Sequence, residues 1–282
     1  MYFFLLDLRV LDHGYREYWD HLVPEIRERG LLGERKEIAS DQEAVQELTR
    51  IIKQKRFQTV VVVGGDALLA CVASAAAGSG IALGYIPLGE NCAFALRWGI
   101  GSQVGVVGDR LAARRLRDID LLKIGRSFIV DHLRIGRALS IGTKSRSSGS
   151  IIDRLKNLFS RSGGQTGILT PAEFRVIVER DGLEAYLTSV GILIEINPFV
   201  PASAAPKAAF VLVSSAVSKK NVSWDQIRDQ AISDLPQVTR LHLQDGTITF
   251  DRPVPVLLDG YRTELSGQVQ LKIVTSQIKL IV

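Results

Sequence analysis

The sequence predicts a mixed α/β chain, with a layered α/β unit first and a strand-rich half after it. Three observations carry that reading. Over residues 1–117, apolar strand-like runs alternate with amphipathic helical runs, the rhythm of a parallel sheet covered by helices. The run "TVVVV" at 59–63 is continuously apolar and β-branched, as expected of a strand buried on both faces. After about Asp118 the helical periodicity fades, and Asp-Gly pairs separate short apolar runs.

The elements follow in order. Residues 2–8 read as a first buried strand. Over 16–29, Trp19, Leu22, Val23 and Ile26 share one helical face, and Pro24 inside the run kinks the helix or delays its start. A short strand is expected over 36–39. A helix is expected over 42–55, where Val45, Leu48, Ile51 and Ile52 recur at helical spacing. The 59–63 strand leads into a small-residue helix over 67–77 and another strand over 82–86. Later strands are expected over 128–135, 174–179, 185–196, 210–217, 238–243, 247–250, 254–258, 269–274 and 277–282. Asp181-Gly182, Asp245-Gly246 and Asp259-Gly260 offer the positive φ angles of tight hairpins. A short helix over 151–159 carries Ile151, Ile152, Leu155, Leu158 and Phe159 on one side, and Arg154, Lys156 and Arg161 supply positive charge. It is either a membrane-surface element or a packing helix with a solvated basic face. A second short helix is expected over 224–231, and no fixed-period repeat is present.

Composition narrows the function classes. With 46% hydrophobic and 23% charged residues in 282, the chain is built to fold around a core. Its net charge of +5 favours anionic partners: phosphates, acidic lipid or nucleic acid. Aromatics make up only 7% and no basic stripe is interleaved with them, which argues against nucleic acid. Cys71 and Cys92 suit neither a zinc site nor a CxxC redox pair, and the four histidines have no metal-ligand spacing, so no metal site is expected. "YFFLL" lacks the length and the basic flank of a signal peptide, and no run reaches the roughly 18 apolar residues of a membrane span. The expectation is a cytoplasmic protein whose membrane contact, if any, is peripheral.

The chemistry-bearing candidates are two glycine loops. A strand ending in Gly64-Gly65-Asp66 and opening a helix lets backbone N–H groups approach a phosphate. A second loop follows at Gly89-Glu90. Neither is a Walker loop or a G-x-G-x-x-G fingerprint, and a tight strand–helix turn explains the paired glycines equally well.

Taken together, the motifs resemble a family. "VVVGGDALLACVASAA" resembles the GGDGT segment of the diacylglycerol kinase catalytic family, bacterial lipid kinases akin to sphingosine and ceramide kinases. "GYIPLGENCAFALRWGI" resembles its P-x-G-T-x-N-x-x-A-R-x-L-G-I segment. "IDLLKIGRSFIV" resembles its crossing into the β domain, and "IIDRLKNLFSRS" with "FRVIVERDGLEAYLTSVGILIEINP" its interdomain helix and following hairpin. "FDRPVPVLLDGYRTELSGQVQLKIVTSQIKLIV" resembles its last element, marked by Asp-Gly-Glu. The resemblance implies a three-layer α/β N-terminal domain of the NAD kinase/diacylglycerol kinase type (1–117) and an antiparallel β-sandwich (118–265). Closing strands (266–282) would return toward the first domain. It implies ATP and magnesium in the interdomain cleft, with Gly64, Gly65, Asp66, Gly89 and Glu90 at the nucleotide. Asp259 would be the acid–base group, and the γ-phosphate would pass to a lipid hydroxyl. The implied partner is a lipid or membrane surface.

The departures from the pattern fall on the chemistry. The third glycine and the threonine of GGDGT are Ala67 and Leu68, the next threonine and asparagine are Glu90 and Cys92, and the Asp-Gly-Glu glutamate is Tyr261. The family's Asn-Pro-x-Ser-Gly loop is replaced by "RVLDHGY", and "NPFVPASAAPKAAF" lacks the acidic residues that hold a structural magnesium in some relatives. A lost hydroxyl–phosphate bond is worth about 1.5–3 kcal/mol, and a lost general base about 10²–10⁴ in rate. Two readings therefore stand: a divergent lipid kinase using Asp66 and Asp259, or a kinase-like fold that binds lipid or nucleotide without phosphotransfer. Asp66 also reads as a helix N-cap and Asp259 as a hairpin-turn residue.

Overall fold

A parallel sheet forms the centre of the N-terminal half. Its strands lie in the order β2 (Gly33–Ile38), β1 (Tyr2–Asp7), β3 (Thr59–Gly64) and β4 (Ala82–Pro87). The structure, a computed structural model, describes residues 1–31, 33–89, 92–125, 127–136, 174–180, 183–189, 191–195, 208–213, 238–243, 245–259 and 261–282. Every residue of β3 and β4 is buried. Their alternating side chains supply two cores. Phe3, Leu5, Val60, Val62, Leu83 and Tyr85 face α3 (Asp41–Gln54) and α4 (Asp66–Ala76). Phe4, Leu6, Val61, Val63 and Ile86 face α2 (Arg16–Glu28) and α6 (Val104–Ala113). The result is three layers.

The helices start and stop for local reasons. Ser40 caps α3 by accepting the Glu43 N–H, while the Glu43 carboxylate accepts the Ala39 N–H, and the helix ends on Lys55 in the left-handed region. The first helical stretch begins earlier than the 16–29 expected. Directly after β1 come α1 (Leu8–Val10), a π-helical turn (Leu11–Tyr15) and α2, which runs through Pro24. Asp7 caps it, accepting the Arg9 N–H. Where the family resemblance would place a glycine loop, this chain has helix.

The second half is antiparallel. β5 (Leu116–Ile124) pairs with the second half of β14 (Tyr261–Ile281), from Leu271 to Ile281, and β14 also pairs parallel with β4 through Lys279 and Leu280. β6 (Ser127–Ile129) folds back on β5. β13 (Asp245–Leu258) lies between β14 and two shorter partners, β7 (His132–Gly136) and β8 (Phe174–Arg180). β9 (Leu183–Ser189) pairs with β8, and the path β7, β10 (Gly191–Glu195), β11 (Ala208–Val213) and β12 (Val238–Leu243) completes the sheet. Leu122, Ile124, Leu133, Ile135, Phe250 and Val256 belong to a separate core here.

Several expectations change. Residues 116–124 form a strand that charge at Arg117, Asp118, Asp120 and Lys123 disguises, and α6 forms despite Gly105 and Gly108. Gly108 leaves room for Arg29: a Cβ there would stand 2.7 Å from Arg29 Cδ, and the arginine side chain would have to shift. The expected strand over 128–135 breaks at Val130-Asp131, and that over 185–196 divides between β9 and β10. The runs 247–250 and 254–258 are one strand with a register shift between Phe250 and Val254, and 269–274 and 277–282 are likewise one. Asp245-Gly246 is not a turn: both residues sit in β13, paired with Lys272 and Leu271. The helices expected over 151–159 and 224–231, and the Asp181-Gly182 turn, lie outside the described residues. Among the described residues, no helix is long and apolar enough to cross a membrane.

Candidate functional site

The two glycine loops lie side by side at the C-terminal edge of the parallel sheet, where such folds bind ligands. The Leu88 N–H donates to the Gly64 carbonyl at 2.9 Å, the last rung between β3 and β4. The two glycines of the first loop differ in purpose. A Cβ on Gly64 would meet Asp7 Cβ at 2.9 Å, so Gly64 is required by the close approach of β1. A Cβ on Gly65 would find only the Leu88 carbonyl oxygen, at 3.9 Å. Gly89 adopts φ +112°, which only glycine takes without strain.

Asp66 joins the loops. Gly65 is the cap of α4 and Asp66 its first residue, so the helix-cap reading of Asp66 shifts by one. Its carboxylate reaches across instead: one oxygen accepts the Tyr85 hydroxyl at 2.8 Å and the other the Phe94 N–H at 2.8 Å. Phe94 belongs to α5 (Ala93–Arg97), the short helix after the second loop. Burial, reinforced by the nearby Asp66 carboxylate, pushes the Tyr85 hydroxyl far above its ordinary range, so it is a donor at any working pH. Burial also raises the Cys92 thiol, against the opposing effect of its bond to Tyr85, which argues against a reactive nucleophile there.

The neighbouring positions are closed or apolar. Leu68 is 1% exposed and packed in the core beneath α4, whereas Ala67 faces solvent. Beside the loop, Arg9 holds Asp7 through Nε at 2.8 Å and Asp41 through Nη2 at 2.6 Å. These two acids raise the Arg9 pKa further, Asp7 most. Glu90 lies outside the described residues.

Asp259 occupies the turn between β13 and β14 with φ +46°, and its N–H donates to the His132 carbonyl at 3.0 Å. Its carboxylate is held by three successive backbone N–H groups: Val130 at 2.7 Å, Asp131 at 3.0 Å and His132 at 2.8 Å. That nest forms where the expected 128–135 strand breaks. Asp131 in turn contacts His132 Nδ1 at 2.7 Å. The segment bearing the nest abuts the first half: Phe128 N–H meets Ser74 Oγ on α4 at 3.4 Å, and Val130 lines a small apolar void with Leu69 and Phe94. Asp259 is thus near the interdomain junction, but its oxygens face backbone amides.

Sequence reasoning missed Tyr85, the Phe94 amide, the Arg9 bridge and the 130–132 nest. None carries a local signal. Tyr85 reads as one more apolar strand residue, and the amides depend on residues distant along the chain. Also missed is Arg110, whose Nη2 donates to the Tyr85 carbonyl at 2.5 Å while its buried Nε and Nη1 have no hydrogen-bond partner among the described residues. Burial lowers its pKa.

Comparison with known proteins places this geometry. Residues 13–124 match the diacylglycerol kinase catalytic domain family. No curated protein matches the chain. A crystal structure of a putative diacylglycerol kinase from Bacillus anthracis str. Sterne is similar over 99% of this chain and 96% of its own, with a TM-score of 0.74 at 14% identity. A structure of a diacylglycerol kinase from the same organism has a TM-score of 0.73, with the same coverage and identity. At that identity the likeness is one of fold, and it extends across both halves. Residues 13–124 of this chain thus match the diacylglycerol kinase catalytic domain family, and the chain as a whole shares the fold of these solved structures.

Proposed function

We propose that this chain is a kinase-fold protein that works by binding, with a lipid surface as its ligand class, and does not transfer phosphate from ATP. The observation that carries the reading is the closure of Asp66. Both of its oxygens already accept hydrogen bonds, from a buried tyrosine and from the α5 backbone. Offering them to a magnesium ion or a polyphosphate would strand a buried hydroxyl and an amide, each costing about 1–3 kcal/mol.

The surrounding donor set fits magnesium-ATP poorly. Leu68 is an apolar core residue where the family pattern has a hydroxyl. Asp259 accepts three backbone N–H bonds and anchors a turn, an arrangement that supports a structural carboxylate rather than a base. The lipid ligand class is inferred from the likeness to lipid kinases, and the lack of phosphotransfer from the engaged Asp66 and Asp259 carboxylates and the apolar Leu68.

Calorimetric titration with ATP, with and without magnesium, tests this beside radiolabelled phosphotransfer to diacylglycerol in mixed micelles. Weak or absent heat and no labelled lipid are expected. Robust turnover lost on Asp66→Ala, with the fold intact, would establish the divergent-kinase reading instead.

A further inference from the structure

Arg110 on α6 holds a charge that the rest of the described structure does not answer. Its Nη2 donates to the Tyr85 carbonyl at 2.5 Å, while Nε and Nη1 are buried without a hydrogen-bond partner among the described residues. Among those residues no carboxylate pairs with it either. The adjacent acid on α6, Asp109, binds Arg29 at 2.7 Å, and Glu25 on the facing helix α2 binds the same arginine. A guanidinium stays protonated at any working pH, so burial lowers its pKa without removing the charge. A buried cation with no counter-charge is costly.

The place of Arg110 in the fold explains one donor only. Ala82 and Leu88 turn their N–H groups toward β3, so by strand alternation Leu83 and Tyr85 present their backbone groups to the outer edge of β4. β14 pairs with that edge at Ala82 and Leu83, and the Tyr85 carbonyl lies past that pairing. Arg110 supplies its donor. A neutral amide would serve that carbonyl equally well, so the carbonyl does not call for a charge. A water molecule on Nε or Nη1 would complete the hydrogen bonding and leave the charge unanswered. Tyr18 on α2 stands near enough for the two side chains to act on each other electrostatically. Its hydroxyl donates to the Ser102 carbonyl, in the exposed loop ahead of α6.

We propose that Arg110 anchors a site for one small oxyanion, a carboxylate or a phosphate group, between α2, α6 and the outer edge of β4. The anion takes the donors that the Tyr85 carbonyl leaves over, and the planar guanidinium suits both kinds of group. Because Nε and Nη1 are covered, entry requires movement. The Tyr18–Ser102 contact, one hydrogen bond at the surface, is placed to open. The site lies across the sheet from Asp66, and Tyr85 touches both, by its carbonyl on one side and its hydroxyl on the other. The inference is independent of the reading above: an active kinase with this arginine would hold the anion as well.

The test is thermal melting of the full chain in inorganic phosphate and, separately, in acetate, with ionic strength held constant by chloride. Arg110→Gln removes the charge, and Arg110→Lys keeps the charge but not the planar fork. At least one anion should raise the wild-type melting temperature saturably, by about 2–5 °C. Arg110→Gln should lose that rise, and Arg110→Lys should need about fivefold more anion to reach it. General salting effects act on all three proteins alike and cancel in the comparison. Should Arg110→Gln not fold, the lysine variant decides. Co-sedimentation with phosphatidic acid vesicles separates the sources. Vesicle binding lost in the variants assigns the phosphate to a lipid headgroup, and a phosphate effect with unchanged vesicle binding assigns it to a soluble molecule. A wild type that melts alike in phosphate, acetate and chloride, or folded variants that keep the full rise, would overturn the proposal.

Discussion

Replacing Asp259 by alanine is expected to strike stability first. The carboxylate accepts N–H bonds from Val130, Asp131 and His132, and Val130 and Asp131 are at most 7% exposed, so water does not replace the lost acceptor. Bonds to a charged partner are worth about 1.5–3 kcal/mol each and are not additive when shared by one group, so a loss of roughly 3–6 kcal/mol is expected. That is a large share of the usual 5–15 kcal/mol of a folded domain. Alanine also inherits φ +46°, a left-handed conformation that costs a non-glycine residue about 1–2 kcal/mol. Asp259→Gly should therefore be milder than Asp259→Ala by about 1 kcal/mol. Asp259→Asn keeps an acceptor for Asp131 and His132 but turns an amide donor toward the Val130 N–H, for a loss of about 1–3 kcal/mol. Equilibrium urea unfolding of the three variants gives the comparison. Should alanine leave stability within about 0.5 kcal/mol of wild type, as an ordinary surface substitution does, the structural account of Asp259 fails.

Other substitutions separate backbone need from ligand need. Gly64→Ala should cost about 1–3 kcal/mol, because its Cβ meets the stem of Asp7, while Gly65→Ala should cost under about 1 kcal/mol; thermal melts compare them. Leu68→Thr, which brings back the family hydroxyl, should destabilise by about 2–3 kcal/mol by chemical denaturation without raising nucleotide affinity, since the position is core. Tyr85→Phe should cost about 1–3 kcal/mol at neutral pH and alter alkaline unfolding. Below pH 10 the Tyr85 hydroxyl is protonated in both states and its contribution is full. Above pH 10 the unfolded chain ionises first, so stability falls by about 1.4 kcal/mol per pH unit for this group, and the variant's slope should be shallower by that amount.

Much of the first half was legible because its signals are local. The β-branched run at 59–63 is β3 one residue short, and the periodicity over 42–55 is α3 within one residue at each end. What escaped depends on distant partners. Asp245-Gly246 has turn chemistry, yet pairing with Lys272 and Leu271 holds it extended. At Asp66 and Asp259 the sequence draws attention to the residue types, but neither chemistry nor turn preference reveals what the oxygens face. The donors lie at Tyr85 and Phe94 for one, and 127 to 129 positions away for the other. A carboxylate's type is written in the sequence, whereas its partners are a product of the fold.

The partnership of β14 with β4 reaches into how the chain must assemble. Ala82 and Leu83 find their outer neighbours at Lys279 and Leu280, close to the far end of the sequence. As the protein is synthesised, the parallel sheet is therefore left with an open flank until nearly all of the antiparallel half has been made. An open strand edge invites pairing with other chains, and such long-range pairing is slow to form. A fragment ending before β5 would keep that flank permanently bare. The two halves differ in pattern, yet the late strand β14, with Ile119, Leu121 and Val130, completes a core that belongs to both.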